Sequence, residues 1–180
     1  ALDIIKGAVD ISAKDIMLLS FEMATDEHSL NRSHAEQAQA IIGKLEQGVD
    51  VALISLGDVS VFSTFVYIGE IVKAAGYDVQ MIPGVTSFCA SSCALGISLT
   101  AMKQPLQGIP AAFDASSQTL DLPGTKVLMK SASHFAQVRD RVVESGQLAW
   151  AVSNCCLPGQ QLYDDVSTMP DDPGYFTTII

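Results

Sequence analysis

The stretch Val51-Ala52-Leu53-Ile54-Ser55-Leu56-Gly57-Asp58-Val59-Ser60 constrains the fold more than any other part of the chain. Its apolar run, Val51 to Leu56, has the length and the β-branched content of a buried parallel strand. Gly57 breaks that run, and from Val61 onward Phe62, Phe65, Val66, Ile68, Ile71 and Val72 recur at helical spacing as far as Gly76. A strand, a Gly-Asp turn and a helix in this order make one unit of an open α/β sheet. The turn at the carboxyl end of such a strand is where exposed backbone amides and a helix N-terminus meet small ligands. The pattern is common, so it locates a ligand loop without naming the ligand.

The flanking sequence extends the same alternation. Residues 1 to 9 read as the end of a helix and Asp15 to Phe21 as a strand, followed by a polar, unpatterned loop from Glu22 to Asn31. Ser33 and Glu36 match a capping box, and Ala35, Ala38, Ile41, Ile42 and Leu45 form one apolar stripe up to Gly48. A strand at Tyr77 to Ile82, the turn Pro83 to Ser87 and a small-residue helix to Gly96 complete a βαβα series. Short connections between alternating strands and helices predict a parallel sheet in this N-terminal domain. Between Ile97 and Gly124 the pattern dissolves, with Pro105, Pro110 and Pro123 as punctuation, and a domain boundary is expected near Met102 to Leu106. The expected domains are therefore 1–103 and 104–180. In the second, a strand at Lys126 to Lys130, a helix at Ser133 to Glu144 capped by Ser133, and strands at 148–153, 160–166 and 175–180 predict a mixed sheet with an antiparallel part.

Charge and composition exclude several function classes. With 48% hydrophobic and 17% charged residues the chain can bury a substantial core. A net charge of -10, with only 10 Lys and Arg scattered along the chain, argues against nucleic acid as a partner. No apolar run approaches the roughly 20 residues of a membrane span, and no signal-peptide pattern opens the chain, so no membrane association and a cytoplasmic location are expected. Cys89, Cys93, Cys155 and Cys156 read as reduced, packed thiols, since the adjacent pair is poorly placed for mutual bridging. His28, His34 and His134 share no ligand spacing and read as solvated surface residues, so no metal site is expected.

Four blocks in register carry a resemblance. Leu56-Gly57-Asp58-Val59-Ser60, Ile82-Pro83-Gly84-Val85-Thr86-Ser87-Phe88, Val127-Leu128-Met129-Lys130 and Leu157-Pro158-Gly159-Gln160-Gln161 resemble the tetrapyrrole (corrin/porphyrin) methylase family. Within it the likeness is to the precorrin-2 or cobalt-factor II C-20 methyltransferases of cobalamin biosynthesis, which the ending Pro173 to Ile179 also resembles. The resemblance implies an enzyme of two α/β domains, usually a homodimer, with S-adenosylmethionine in the cleft between them as methyl donor and S-adenosylhomocysteine as product. It implies precorrin-2 or cobalt-factor II as acceptor. Two departures stand out: the family's opening strand and Gly-x-Gly-Pro-Gly loop are expected but not found from Ala1 onward, and Val59 stands where many relatives carry Pro.

The same resemblance assigns donor contacts to Leu56, Gly57, Asp58 and Val61, to Thr86 and Ser87, and to Met129, Ser153, Asn154 and Cys155. By residue type alone Asp58, Thr86 and Ser87 fit helix capping equally well, and Met129 fits plain core. No catalytic side chain is singled out. Displacement at a sulfonium by an electron-rich carbon needs alignment and exclusion of water, and positioning alone supplies about 7 to 11 kcal/mol.

Overall fold

The computed structural model describes residues 2–21, 26–111, 117–131 and 134–180, and the side chains of Ser117 and Gln118 are outside that description. The chain divides into two compact units, Ala1–Gly84 and Val85–Ile180. This division falls earlier in the chain than the 103/104 boundary read from composition, because the helix after Thr86 packs on the strands of the second unit.

In the first unit, helix α1 (Leu2–Ala8) buries no residue, while α2 (Glu27–Leu45) and α3 (Phe65–Ala74) pack together. Ala38, Ile41 and Ile42 of α2 and Ile68 and Val72 of α3 form the buried core. Met17, Leu19, Val51, Leu53, Tyr77 and Val79 pack against it. These six come from the three apolar runs, two per run at i and i+2, which is the alternation of an extended chain with one face inward.

The runs at 15–21, 51–56 and 77–82 nevertheless form no hydrogen-bonded strand among the described residues, so the parallel ladder expected there is not made. A parallel strand is stable when both faces are covered. Here the alternate residues Ile16, Leu18, Ile54 and Ile82 remain exposed, Leu18 at 78%.

Two helix starts also differ from expectation. α2 begins at Glu27, because the Asp26 carboxylate accepts from Ser29 N–H at 2.8 Å and caps it. The expected polar loop is thus helical from Glu27, and its residues 22–25 lie outside the described part. Ser33 is a buried residue inside α2 rather than its cap. His34, expected on the surface, is buried and stacks on Tyr67 of α3, with ring centroids 4.8 Å apart and planes 3° from parallel. α3 starts at Phe65 because Phe62 takes a left-handed conformation, φ 49°, which no helix accommodates.

The second unit closes its backbone hydrogen bonds in one sheet. α4 (Ser87–Leu95) is followed by β1 (Leu106–Pro110), the short α5 (Ser117–Leu120), β2 (Thr125–Met129), α6 (Phe135–Glu144), β3 (Ala151–Ser153), β4 (Gln161–Tyr163) and β5 (Thr177–Ile179). The order across the sheet is β1-β2-β5-β3-β4. β1 runs parallel to β2, with Leu106 opposite Thr125 and Pro110 opposite Met129. β5 is antiparallel to both of its neighbours, with Leu128 opposite Ile179 and Ser153 opposite Thr177, and β4 is antiparallel to β3. The predicted mixed sheet is present with shorter strands.

β1 was not legible in the sequence. Its Gly108 and terminal Pro110 look like loop residues, but an edge strand tolerates a proline because one side of its backbone is unpaired. Phe135, Val138 and Val142 of α6 pack with Leu128, Ala151 and Ile179 of the sheet. The intervening residues Val127, Val152 and Thr178 are buried too, and α4 packs on β3 and β5, so this sheet is covered where the first unit's runs are not. Arg139 of α6 donates to the Met169 carbonyl at 2.9 Å and to Asp171 at 2.7 Å, fixing the approach to β5. His134 precedes α6 as its N-cap; the Ser133 cap read from the sequence lies outside the described residues.

Candidate functional site

The first set of predicted site residues meets in a locked double turn of the first unit. Gly57 adopts φ 76°, a left-handed conformation that suits glycine. Asp58 does not cap α3. One oxygen of its carboxylate accepts from the Ser60 N–H at 2.8 Å and from the Ser60 hydroxyl, and the other accepts from the Gly84 N–H at 2.8 Å. The Ser60 hydroxyl, then the Ser60 amide and the Gly84 amide, hold the Asp58 carboxyl below its ordinary value. The carboxylate therefore ties the turn at 57–60 to the turn at 83–84, and the backbones meet so closely that a Cβ at Gly84 would fall on the Gly57 carbonyl oxygen.

With both oxygens of Asp58 engaged, the parts of this turn open to a ligand are backbone groups and the exposed Leu56 and Gly57. Val61, whose N–H donates to the Asp58 carbonyl at 3.2 Å, is partly buried behind them. Ser63 supports the turn from below: its hydroxyl lies 3.1 Å from that of Ser55 and accepts from Phe65 N–H at 3.2 Å. Gly84 and Ser60 were not singled out from the sequence as site residues. The signal for Gly84 was the Pro83-Gly84 turn itself, but its partner is 26 residues away in the chain.

In the second unit the parallel sense of β2 and β3 puts Met129 and Ser153 at the same end of the sheet, with Thr177 opening β5 between them. Lys130 and Asn154, the residues that follow β2 and β3, both take left-handed conformations, φ 57° and 51°. Non-glycine residues held in this region mark places where the surrounding structure over-determines the backbone, and functional sites are rich in them. Met129 is half-buried. Ser153 is buried, and its hydroxyl is spent on Thr177 Oγ1 at 3.0 Å, so it orients the strand end and offers no free group. Asn154 N–H donates to the Phe176 carbonyl at 2.8 Å and its side-chain amide to the Gly159 carbonyl at 3.5 Å.

Cys155 follows, partly buried. Burial pushes its thiol up, against the Ser91 hydroxyl and together with the neighbouring Cys156 and Cys93 thiols. The Ser91 hydroxyl itself reaches no partner at full hydrogen-bond geometry, so its effect on Cys155 is that of a nearby dipole. Thr86 caps α4, its hydroxyl accepting from Cys89 N–H at 3.4 Å, while the Ser87 hydroxyl is buried without a hydrogen-bond partner. The capping reading of Thr86 is therefore satisfied, and Ser87 keeps an unused donor and acceptor at the start of the helix.

A cavity of about 360 Å³ in the second unit lies elsewhere. It is lined by Gln104, Thr125, Lys126, Ala149, Trp150 and Ile180 among others, at the amino ends of β2 and β3, and none of the predicted site residues borders it. Ligands of α/β sheets gather at the carboxyl ends of parallel strands, so the Met129 and Ser153 end carries the better claim.

The family model of the Tetrapyrrole (Corrin/Porphyrin) Methylases matches residues 1–169. The chain belongs to this family. Among its relatives, the cobalt-precorrin-2 C(20)-methyltransferase of Salmonella typhimurium is 28% identical over 172 residues, covering 92% of this chain and 72% of the relative. The probable cobalt-precorrin-2 C(20)-methyltransferase of Methanocaldococcus jannaschii is 31% identical over 131 residues, covering 73% of this chain and 54% of that protein.

The fold is shared with a solved cobalt precorrin-4 methyltransferase, at TM-score 0.66 and 16% identity over 88% of this chain and 80% of that one. It is shared too with the uroporphyrin-III C-methyltransferase of Thermus thermophilus in complex with S-adenosylhomocysteine, at TM-score 0.64 and 15% identity, over 86% and 80% of the two chains. These neighbours are α/β proteins of two domains, the class read from the sequence.

Proposed function

We propose that the protein transfers the methyl group of S-adenosylmethionine to C-20 of precorrin-2 or of cobalt-factor II in cobalamin biosynthesis. The observation that carries this reading is the match, over most of the chain, to relatives named for that position on that acceptor. The donor reading has separate support in the 57–60 turn, where both Asp58 oxygens are consumed in holding two turns together, so that a ligand at the exposed Gly57 would meet backbone groups. Such groups suit the zwitterionic end of a methyl donor. When bound, the donor supplies an electrophilic methyl group on sulfur; the sulfur–carbon bond breaks as the new carbon–carbon bond forms, and the acceptor carbon later loses its proton to solvent.

The chain's own contribution is placement. Leu56, Gly57 and Val61 are proposed as donor contacts, with Asp58 and Gly84 as positioning residues. Thr86, Ser87, Met129, Asn154 and Cys155 are proposed as donor contacts as well, and Ser153 fixes the strand end that Asn154 follows. A two-fold homodimer as the working assembly belongs to the same proposal.

The test is incubation with S-adenosylmethionine and each acceptor, with the product's mass and the site of the new methyl group read by mass spectrometry and NMR. A single added methyl at C-20 supports the reading. Methylation of another tetrapyrrole alone would move the protein to a different acceptor, and calorimetry showing no binding of S-adenosylmethionine or S-adenosylhomocysteine would end the enzyme reading. Light scattering at micromolar concentration tests the dimer, with one subunit's mass as the contrary result.

A further inference from the structure

We propose that the cavity at the amino ends of β2 and β3 binds a small apolar monocarboxylate, an anion carried on a hydrocarbon body. At about 360 Å³ it lies in the lower part of the range of small-molecule sites, ~300 to 1,000 Å³. Its inner wall is apolar: Leu120, Leu128, Val142 and Ile179 line it, each exposed by 5% or less. Ser145, Gln147 and Leu148 at its rim are exposed, so a solute can enter from that side.

The class of ligand follows from the charge. In a chain of net charge -10, Lys126 is the one charged side chain lining the cavity among the described residues. On β2 it shares a face with Leu128, whose side chain packs on α6, so it stands over the same apolar wall. Its ammonium donates to the Gln147 side-chain oxygen at 2.9 Å. That amide is itself fixed: Gln147 Nε2 donates to the Leu120 carbonyl at 2.7 Å, and Gln147 N–H to the Ser145 hydroxyl at 3.3 Å. The head of Lys126 is thus held at a set place by a neutral partner. An ammonium has three N–H donors, and this hydrogen bond uses one. A carboxylate takes the others through charge-assisted hydrogen bonds, which are shorter and stronger than a bond to an amide.

The surrounding backbone agrees with this. The last carbonyls of α6, which would repel an anion, are already taken: those of Arg141, Val142 and Val143 accept from the Ser145 N–H, the Ser145 hydroxyl and the Gly146 N–H. Trp150, the only tryptophan of the chain, borders the same space. Its N–H and carbonyl pair with the carbonyl and N–H of Ile180, each at 2.8 Å, so the residue is fixed in the wall and its fluorescence reports on the cavity. None of the residues assigned to the methyl donor lines this space, so occupancy of the two sites can be measured separately.

The experiment titrates the full chain with octanoate, read by calorimetry and by Trp150 fluorescence. One molecule per chain is expected, with a fluorescence change that follows the same isotherm, and the neutral octanol should bind about tenfold more weakly. Lys126→Met, which keeps an apolar stem and removes the charge, should weaken octanoate about tenfold and leave octanol unchanged, while Lys126→Arg restores most of the affinity. Saturating S-adenosylhomocysteine should leave octanoate binding unaltered. The comparison of acid with alcohol needs no variant, so it decides the charge requirement even where Lys126→Met fails to fold. No heat and no fluorescence change at millimolar octanoate, equal affinity for acid and alcohol, full affinity in a folded Lys126→Met, or competition with S-adenosylhomocysteine would overturn the proposal.

Discussion

The two units solve the same problem by different means. In Val85–Ile180 five short strands pair, and side chains on both faces of the central strands are buried, with Val127, Val152 and Ile179 at 1% exposure. In Ala1–Gly84 three apolar runs turn one face onto α2 and α3 and leave the other uncovered, and no ladder forms among the described residues. Burial of one face is enough to align an extended segment on a helix pair. It is the covering of both faces that makes a parallel strand pay the conformational cost of pairing.

The largest expected effect sharpens this contrast. Phe135, 1% exposed in the second unit's core, should cost ~3 to 5 kcal/mol when replaced by alanine. Denaturant unfolding of Phe135→Ala followed with hydrogen exchange checks it, and protection of the β3 and β5 amides should fall together. In the unaltered protein those same amides should exchange more slowly than amides of 51–56 and 77–82. Equal protection in both sets would break the comparison.

Gly84→Ala comes next. Its new Cβ would strike the Gly57 carbonyl, so the 83–84 and 57–60 turns must separate, at an expected ~1 to 3 kcal/mol of stability and a tenfold or greater loss of S-adenosylmethionine affinity. Calorimetry on the variant, with thermal unfolding beside it, measures both. Wild-type affinity would remove the double turn from the donor site.

Asp58→Asn acts on the same lock more gently, since an amide retains one acceptor for the Gly84 or the Ser60 amide. Because hydrogen bonds lower the carboxyl's folded value, its contribution is fully present above the ordinary carboxylate value and is lost as the pH falls through the lowered one. Donor affinity should therefore be level through neutral pH and decline below about pH 4 in the wild type, with the decline flattened in Asp58→Asn. A titration of affinity against pH for the two proteins decides it.

The smallest effect belongs to the His34–Tyr67 stack. Tyr67→Leu keeps the apolar contact of α3 with α2 but removes the parallel rings, and should cost ~0.5 to 1.5 kcal/mol confined to the first unit. A loss that also lowers protection in β3 and β5 would mean that the units do not respond separately.

What could be read in advance follows from where the deciding interactions lie. The helices were legible wherever apolar spacing and a local cap agree, as at Thr86 with Cys89. Helix α2 was misread at its start because two capping patterns compete within ten residues, Asp26 with Ser29 and Ser33 with Glu36, and burial of Ser33 and His34 against α3 decides between them. β1 was missed because pairing to β2, rather than its own composition, makes it a strand.

Among the candidate site residues, Gly57 and Asp58 were placed correctly in a turn between an apolar run and a helix. The use of Asp58 was not visible, since its second partner, Gly84, lies 26 residues away.

The sequence by itself determined the succession of apolar runs and helices, the two-unit α/β class, the family, and the location of the turns that carry its motifs. These follow from local spacing and residue type, which need no neighbour to be recognised. Only the tertiary structure decided which apolar runs pair into a ladder, that Ser153 is spent on Thr177, and that Asp58 binds one turn to another. Each of these depends on what the folded chain brings to the far side of a residue, through hydrogen bonds and burial between segments distant in sequence.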